Sequence, residues 1–267
     1  MRRGLARSRE HASELIADGR VKVSGAVASK PATGITTDVA IVVRDDPDRE
    51  EYVSRGGHKL AGALAVFEPH GVGVAGKRCL DAGASTGGFT DVLLRAGARE
   101  VVAVDVGYGQ LAWSLQSDDR VVVHDRTNIR ELTPEIVGDP VDLVVGDLSF
   151  ISLELVLDAL VSVTAPDGEL ALMVKPQFEV GKERVGKGGV VRSLDLRAEA
   201  VTDIADAAAT RGWGAVAVTT SPLPGPSGNV EFFLLLRRGP ATIGVDDVRA
   251  EVERSASWGA EGERVEP

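Results

Sequence analysis

The chain has 267 residues, 43% apolar and 26% charged, enough for one large domain with an ordinary core and a small one beside it. A lone cysteine, Cys79, and four scattered histidines exclude a disulfide framework and any recognisable metal motif, and no run nears the ~20 apolar residues of a membrane span. The net charge of −10 argues against nucleic acid only on average: residues 1–30 carry seven basic residues against three acidic, and a local basic face is what attracts phosphates.

Residues 1–44 read as a small α+β unit. Ser8 to Asp18 shows a short helical pattern ended by Gly19, and the strands Val21–Val23 and Val39–Val43 follow, with Ser24-Gly25 as a turn signal between them. Arg7, Arg9, Arg20 and Lys22 are its candidate phosphate contacts; the plainer alternative is a solvated charged face. No apolar stretch follows the basic Met1-Arg2-Arg3, so no export signal is read and a cytoplasmic location is expected. Residues 45–53, containing the charged run Asp45 to Glu51 with Pro47, read as a linker.

From 54 to 255 the pattern alternates helix and strand. Candidate strands are Arg78 to Asp81, Val101 to Val104, Val121 to His124, Asp142 to Gly146, Leu170 to Val174, Ala215 to Thr219 and Val230 to Leu236. The early ones are short and almost continuously apolar, as strands buried on both faces are. The clearest helix is Leu194 to Thr210. Such alternation implies an α/β fold with a doubly wound, mostly parallel sheet of seven strands. Residues 256–267 read as a disordered acidic tail.

The strongest local signal is Leu80-Asp81-Ala82-Gly83-Ala84-Ser85-Thr86-Gly87-Gly88-Phe89-Thr90, which follows a strand and opens a helix. Gly83, Gly87 and Gly88 allow a tight turn and close approach to a ligand, with Ser85, Thr86 and Phe89 in the same candidate site. Ser85 stands where a dinucleotide fingerprint has its second glycine, and Asp81 precedes the turn. A carboxylate there suits a cationic ligand, such as a sulfonium amino acid, better than a pyrophosphate. Asp105 ends the second strand, 22 residues after Gly83, the spacing at which a carboxylate accepts from ribose hydroxyls. Asp125 ends the third, where an adenine amino group could be met. The alternative is a set of strand-to-helix turns with capping aspartates.

Four further residues should converge: Lys59 at a helix start, Asp147 ending the fourth strand, Lys175 ending the fifth and Glu231 opening the last. A lysine after four apolar residues and before a proline is not a generic surface lysine; the simpler reading is a strand-end lysine paired with a carboxylate. A hydroxyl nucleophile needs a base within hydrogen-bond reach. Lysine serves when burial or a second cation favours its neutral form, and Lys59 could be that cation, while Asp147 and Glu231 would orient the pair and oppose the effect. Beyond the fifth strand, Gly181 to Gly189 is a basic, glycine-rich loop that could close over RNA backbone or simply be solvated. Arg55, Lys182, Arg184 and Lys187 complete the candidate RNA contacts. Phe150 is placed to stack on a base or an adenine, or simply to pack.

The Lys59, Asp147, Lys175, Glu231 order resembles the K-D-K-E tetrad of FtsJ-like ribose 2′-O-methyltransferases. The phrases SRGGHKL, DAGASTGGFTD, GDLSFISL, VKPQFE and GNVEFF together resemble the bacterial TlyA family, named both as haemolysins and as ribosomal-RNA 2′-O-methyltransferases. The segment GLARSREHASELIADGRVKVSGAVASKPA resembles an RNA-binding domain of the ribosomal-protein-S-four type, with most of its first helix missing. The resemblance implies a Rossmann-like class I methyltransferase that uses S-adenosyl-L-methionine. It implies as partners ribosomal RNA or ribosomal subunits, with cytidine as the target nucleoside and a monomer as the favoured state. A base methyltransferase is the runner-up, but Asp147-Leu148-Ser149-Phe150 lacks the prolines of amino-methylating enzymes. A membrane-active haemolysin would need an apolar span, a barrel-forming repeat or an export signal.

Overall fold

The computed structural model describes residues 3–6, 12–13, 15–16, 19–36, 38–44, 51–225 and 227–256. It divides into two compact units, Met1–Ser54 and Arg55–Pro267.

The first unit contains a three-stranded antiparallel sheet, β1 (Val21–Val23) between β2 (Ala26–Val27) and β3 (Ile41–Val43). The sequence reading has only two strands here. Ser24 and Gly25 both take positive φ, +48° and +84°, so the chain reverses within two residues and Lys22 and Val23 pair with Val27 and Ala26. Such a reversal suits the twist of a tight hairpin, and its second strand is too short to leave a periodic signal. β3 begins at Ile41 rather than Val39. Of the expected Ser8–Asp18 helix, Ala12, Ser13, Leu15 and Ile16 are helical; Arg7 and Arg9 lie outside the described residues, as do residues 45–50 of the linker and 257–267 of the tail.

The second unit is built on seven strands: β4 (Arg78–Ala82), β5 (Glu100–Val104), β6 (Val121–His124), β7 (Val141–Gly146), β8 (Thr164–Val174), β9 (Trp213–Thr220) and β10 (Phe232–Arg238). Their order is β6-β5-β4-β7-β8-β10-β9, parallel from β6 to β8, with β10 antiparallel to both of its neighbours. The main helices are α1 (Gly56–Phe67), α2 (Gly88–Arg95), α3 (Leu157–Val163), α4 (Leu194–Ala209) and α5 (Val245–Arg254). Leu80, Val102, Val144, Leu172 and Leu234 of the sheet pack into one core with Leu157 and Leu160 of α3 and Val201 and Ile204 of α4. Each such side chain contributes about 1.5–3 kcal/mol through burial. Ser193 Oγ caps α4 by accepting from Leu196 N at 3.3 Å, and Gly212, at φ +77°, follows the helix end.

Several boundaries differ from the sequence reading, and two of the differences bear on the site. β8 starts at Thr164, not Leu170, and its register with β7 shifts between the Val141↔Thr164 and Leu143↔Glu169 pairs. Pro166-Asp167-Gly168 reads as a break in sequence but is carried within the strand as that irregularity. β10 starts at Phe232, which leaves Val230 and Glu231 just before the strand.

The chain runs outward from β4 to β6, then returns to the other side of β4 for β7 and β8. Ligands of such sheets bind at the carboxyl ends of the strands beside this reversal.

Candidate active site

The turn after β4 has a shape that only particular residues allow. Gly83 and Gly87 sit at φ +85° and +96°. A Cβ on Gly83 would stand 3.0 Å from a Leu148 methyl and 3.2 Å from the Asp147 carbonyl oxygen; one on Gly87 would stand 2.2 Å from Leu115. Asp81, before the turn, is buried, and Thr90 Oγ1 of α2 donates to its Oδ2 at 2.7 Å. Burial pushes the Asp81 carboxyl up to about 7; the Thr90 hydrogen bonds oppose this, and the nearby charges of Asp147 and Asp105 add to it. Asp105, at the end of β5, accepts from the backbone amides of Ser85 at 2.8 Å and Gly107 at 2.6 Å, tying the two turns together. Asp125, after β6, accepts from Gly109 N at 2.9 Å. Ser85, at φ +48°, is exposed, Thr86 is half-buried and Gly88 opens α2. Phe89 turns into the core, its ring 5.9 Å from that of Phe233.

The four charged candidates form two ion pairs. Lys59, in the first turn of α1, donates to Glu231 Oε2 at 2.6 Å with both side chains buried. Lys175 Nζ lies 2.5 Å from Asp147 Oδ1, in charge contact without hydrogen-bond geometry, and donates to Ser149 Oγ at 2.8 Å. Sheet register brings the pairs together. Gly146 pairs with Leu172 and Phe232 with Val174, so Asp147 and Glu231 flank the end of β8 from either side. The arrangement presents a buried ammonium, held by a carboxylate and a hydroxyl, beside a glycine turn that carries a second buried carboxylate.

Residues 52–238 match the FtsJ-like methyltransferases and residues 2–40 match the S4 domain. The chain is 57% identical over 263 residues to the 16S/23S rRNA (cytidine-2′-O)-methyltransferase TlyA of Mycobacterium tuberculosis, covering 97% of this chain and 96% of that one. The chain belongs to the TlyA family of FtsJ-like methyltransferases. Among solved structures, a hemolysin-named protein from Streptococcus thermophilus is 35% identical, with a TM-score of 0.79 over 96% of this chain and 93% of that one. Another, from Lactococcus lactis, is 38% identical, with a TM-score of 0.72 over 78% of this chain and all (100%) of that one. Among the described residues no helix is long and apolar enough to cross a membrane.

Several polar residues of this TlyA-family site lie within the family phrases, where no role for them is legible from the sequence alone. Asn229 is buried; its Oδ1 accepts from Val191 N at 2.9 Å and its Nδ2 donates to Gly189 O at 2.8 Å. The basic loop is therefore anchored two residues before Glu231. Glu179 accepts from Ser152 Oγ at 2.5 Å and from Leu153 N at 3.0 Å. Asn229, Ser149 and Glu179 lie in the phrases GNVEFF, GDLSFISL and VKPQFE, which marked them as part of the family pattern, but nothing local gave their partners. The RNA candidates divide in two. Arg20 bonds Glu51 and the Arg44 carbonyl, Arg55 donates to the Pro224 carbonyl, and Arg184 pairs with Glu199 at 2.6 Å. Lys182 and Lys187 are exposed and Lys22 is half-buried. Phe150 is 91% exposed, at φ +64°, with its ring 5.2 Å from that of Phe178.

Proposed function

We propose that the chain methylates a ribose 2′-hydroxyl of ribosomal RNA, in cytidine, with S-adenosylmethionine as donor. The observation that carries this reading is the pair of lysine–carboxylate contacts with both lysines buried, Lys175–Asp147 and Lys59–Glu231, at adjacent strand ends beside the Asp81–Gly88 turn. In this reading residues 54–255 are the methyltransferase domain, and residues 1–44, joined through 45–53, bind RNA.

The residues present fit the cofactor. Asp81 is a buried carboxylate with a hydroxyl as partner, short of positive charge. It would hold a cationic amino-acid end, with Gly83 to Gly88 admitting the ligand against backbone. Asp105 would accept from ribose hydroxyls and Asp125 from an adenine amine. The bound cofactor supplies an already activated methyl group on a sulfonium.

What remains for the protein is to place the hydroxyl in line and take its proton. Lys175 Nζ does both as the neutral amine, its ammonium proton having first passed to solvent: its lone pair orients the 2′-hydroxyl and receives the proton. Asp147 and Ser149 hold that nitrogen in place. Glu231 keeps the Lys59 ammonium beside it, a fixed positive charge that favours the developing alkoxide. The exposed Lys182 and Lys187, and the half-buried Lys22 of the first unit, meet RNA phosphates.

Mass-spectrometric mapping of ribose methylation in ribosomal RNA, from cells with and without the gene, tests the reading. A cytidine 2′-O-methyl group that disappears with the gene and returns with the parental chain supports it; an unchanged ribose pattern, or loss of a base methyl group instead, rejects it.

A further inference from the structure

The loop leaving β7, residues 147–153, and the turn leaving β8, residues 175–179, meet at three successive levels. Lys175 engages Asp147 and Ser149, the Phe178 ring lies against Phe150, and Glu179 reaches Ser152 and Leu153. At the last level the two oxygens of one carboxylate serve different donors: Oε2 accepts from Ser152 Oγ at 2.5 Å and Oε1 from Leu153 N at 3.0 Å. Ser152 Oγ in turn accepts from Glu154 N at 3.2 Å, so the same contact caps the helical turn Leu153–Leu155. The loop needs such a brace. It has left the sheet ladder, and Phe150 holds a positive φ that bulky residues adopt only when their surroundings impose it.

We propose that Glu179 is a positioning residue for methyl transfer: it fixes the 147–153 loop against the 175–179 turn, and so sets where Asp147 and Ser149 stand about the Lys175 ammonium. This rests on the ribose-methylation reading of the site. The carboxylate is kept at a cost: burial raises the Glu179 carboxyl above its ordinary range, Glu154 and Asp203 add to this, and the bonds from Ser152 and Leu153 oppose it. A side chain needed only to fill space there would be apolar. A two-oxygen acceptor is what a hydroxyl and an amide on one loop require. The proposed cofactor carboxylates stand at the ends of β4, β5 and β6, and the start of the loop is tied to β4 separately, by the Asp147 amide donating to Ala82 O at 3.1 Å, so the effect of Glu179 falls on the acceptor side of the reaction.

The test uses the full chain with Glu179→Ala, Glu179→Gln and Ser152→Ala, read by calorimetry with S-adenosylmethionine and by single-turnover methyl transfer to ribosomal RNA. Glu179→Ala should slow transfer by at least about tenfold, since small misplacements of reacting groups cost up to about a hundredfold, with cofactor affinity within about twofold of the parent and the half-saturating RNA concentration unchanged. Glu179→Gln keeps a carbonyl oxygen for Leu153 N and should recover most of the rate; Ser152→Ala should fall between. A parental rate for Glu179→Ala overturns the proposal, as does a Glu179→Gln variant as slow as Glu179→Ala, or a loss of rate and cofactor affinity together. A parent chain that transfers no methyl group to ribosomal RNA ends the ribose reading and this proposal with it; an active parent with an equally active Glu179→Ala ends this proposal alone.

Discussion

Lys175 and Glu231 are cross-strand neighbours: Phe232 pairs with Val174, which sets the residue before β10 beside the residue after β8. Each holds its own opposite charge, Asp147 for Lys175 and Lys59 for Glu231, so two ion pairs stand side by side rather than one network of four. Removing Lys175 therefore takes away the proposed proton acceptor while leaving the Lys59–Glu231 pair in place. Lys175→Ala should lower the single-turnover rate by about 10²–10⁴-fold, roughly 3–5 kcal/mol, with cofactor and RNA affinities nearly unchanged. Lys175→Arg should fail as well, because a guanidinium keeps its proton and has a different shape. A near-parental rate for either variant would move the acceptor role to Lys59.

The proposed role of Asp81 in holding the cofactor predicts a pH-dependent affinity. Its carboxyl, near 3.8 in an unfolded chain, is pushed up to about 7 by burial. The folded state thus favours the neutral form, and the stability this group contributes is present below about 4 and lost as pH rises to about 7. A bound cation favours the ionised form, so binding below pH 7 must release a proton. Kd should fall as pH rises toward 7, by up to about tenfold per unit, and level off above it. Asp81→Asn should flatten the profile and weaken binding by roughly 1.5–3 kcal/mol. Calorimetry from pH 5.5 to 8.5, about three units, decides the matter; a flat parental profile would remove Asp81 from cation recognition.

Gly225 packs against the Lys59–Glu231 pair. A Cβ there would stand 2.5 Å from Glu231 Oε1, and the Glu231 side chain is buried, 1% exposed. Gly225→Ala should displace the carboxylate from Lys59 at a stability cost of about 1–3 kcal/mol, and slow methyl transfer more than it weakens cofactor binding. Chemical denaturation and a single-turnover assay check both halves; an unchanged rate would mean that the loop around Gly225, rather than Glu231, gives way.

The basic residues outside the site should not contribute alike to RNA binding. Lys182 and Lys187 are exposed, whereas Arg184 pairs with Glu199 at 2.6 Å. Replacing either lysine with Gln should reduce the slope of log affinity against log salt by about 0.7–0.9, the share of a single neutralised phosphate; Arg184→Gln should reduce it less. Filter binding of ribosomal RNA across a salt series reads this directly. A larger effect at Arg184 would show that its bond to Glu199 opens on binding.

Much of the sheet and the charged residues at its edge were legible in the amino-acid sequence. A parallel strand buried on both faces is a short apolar run, so the charged residue that ends it, Asp105, Asp147 or Lys175, is marked by contrast and lies at the ligand-binding edge whatever the rest of the fold does. Glycines that must turn and an aspartate before them are equally local signals. The pairing of charges was not. Lys59 meets Glu231 across 172 positions only because β10 runs antiparallel between β8 and β9, a placement no local period encodes. The strand Ala26–Val27 was missed because two residues are too few to show a period, but the inward turn of Phe89 and the roles of Ser149, Asn229 and Glu179 share that cause. Each depends on which distant backbone or side-chain group lies opposite, and that is set when the sheet closes, not along the chain.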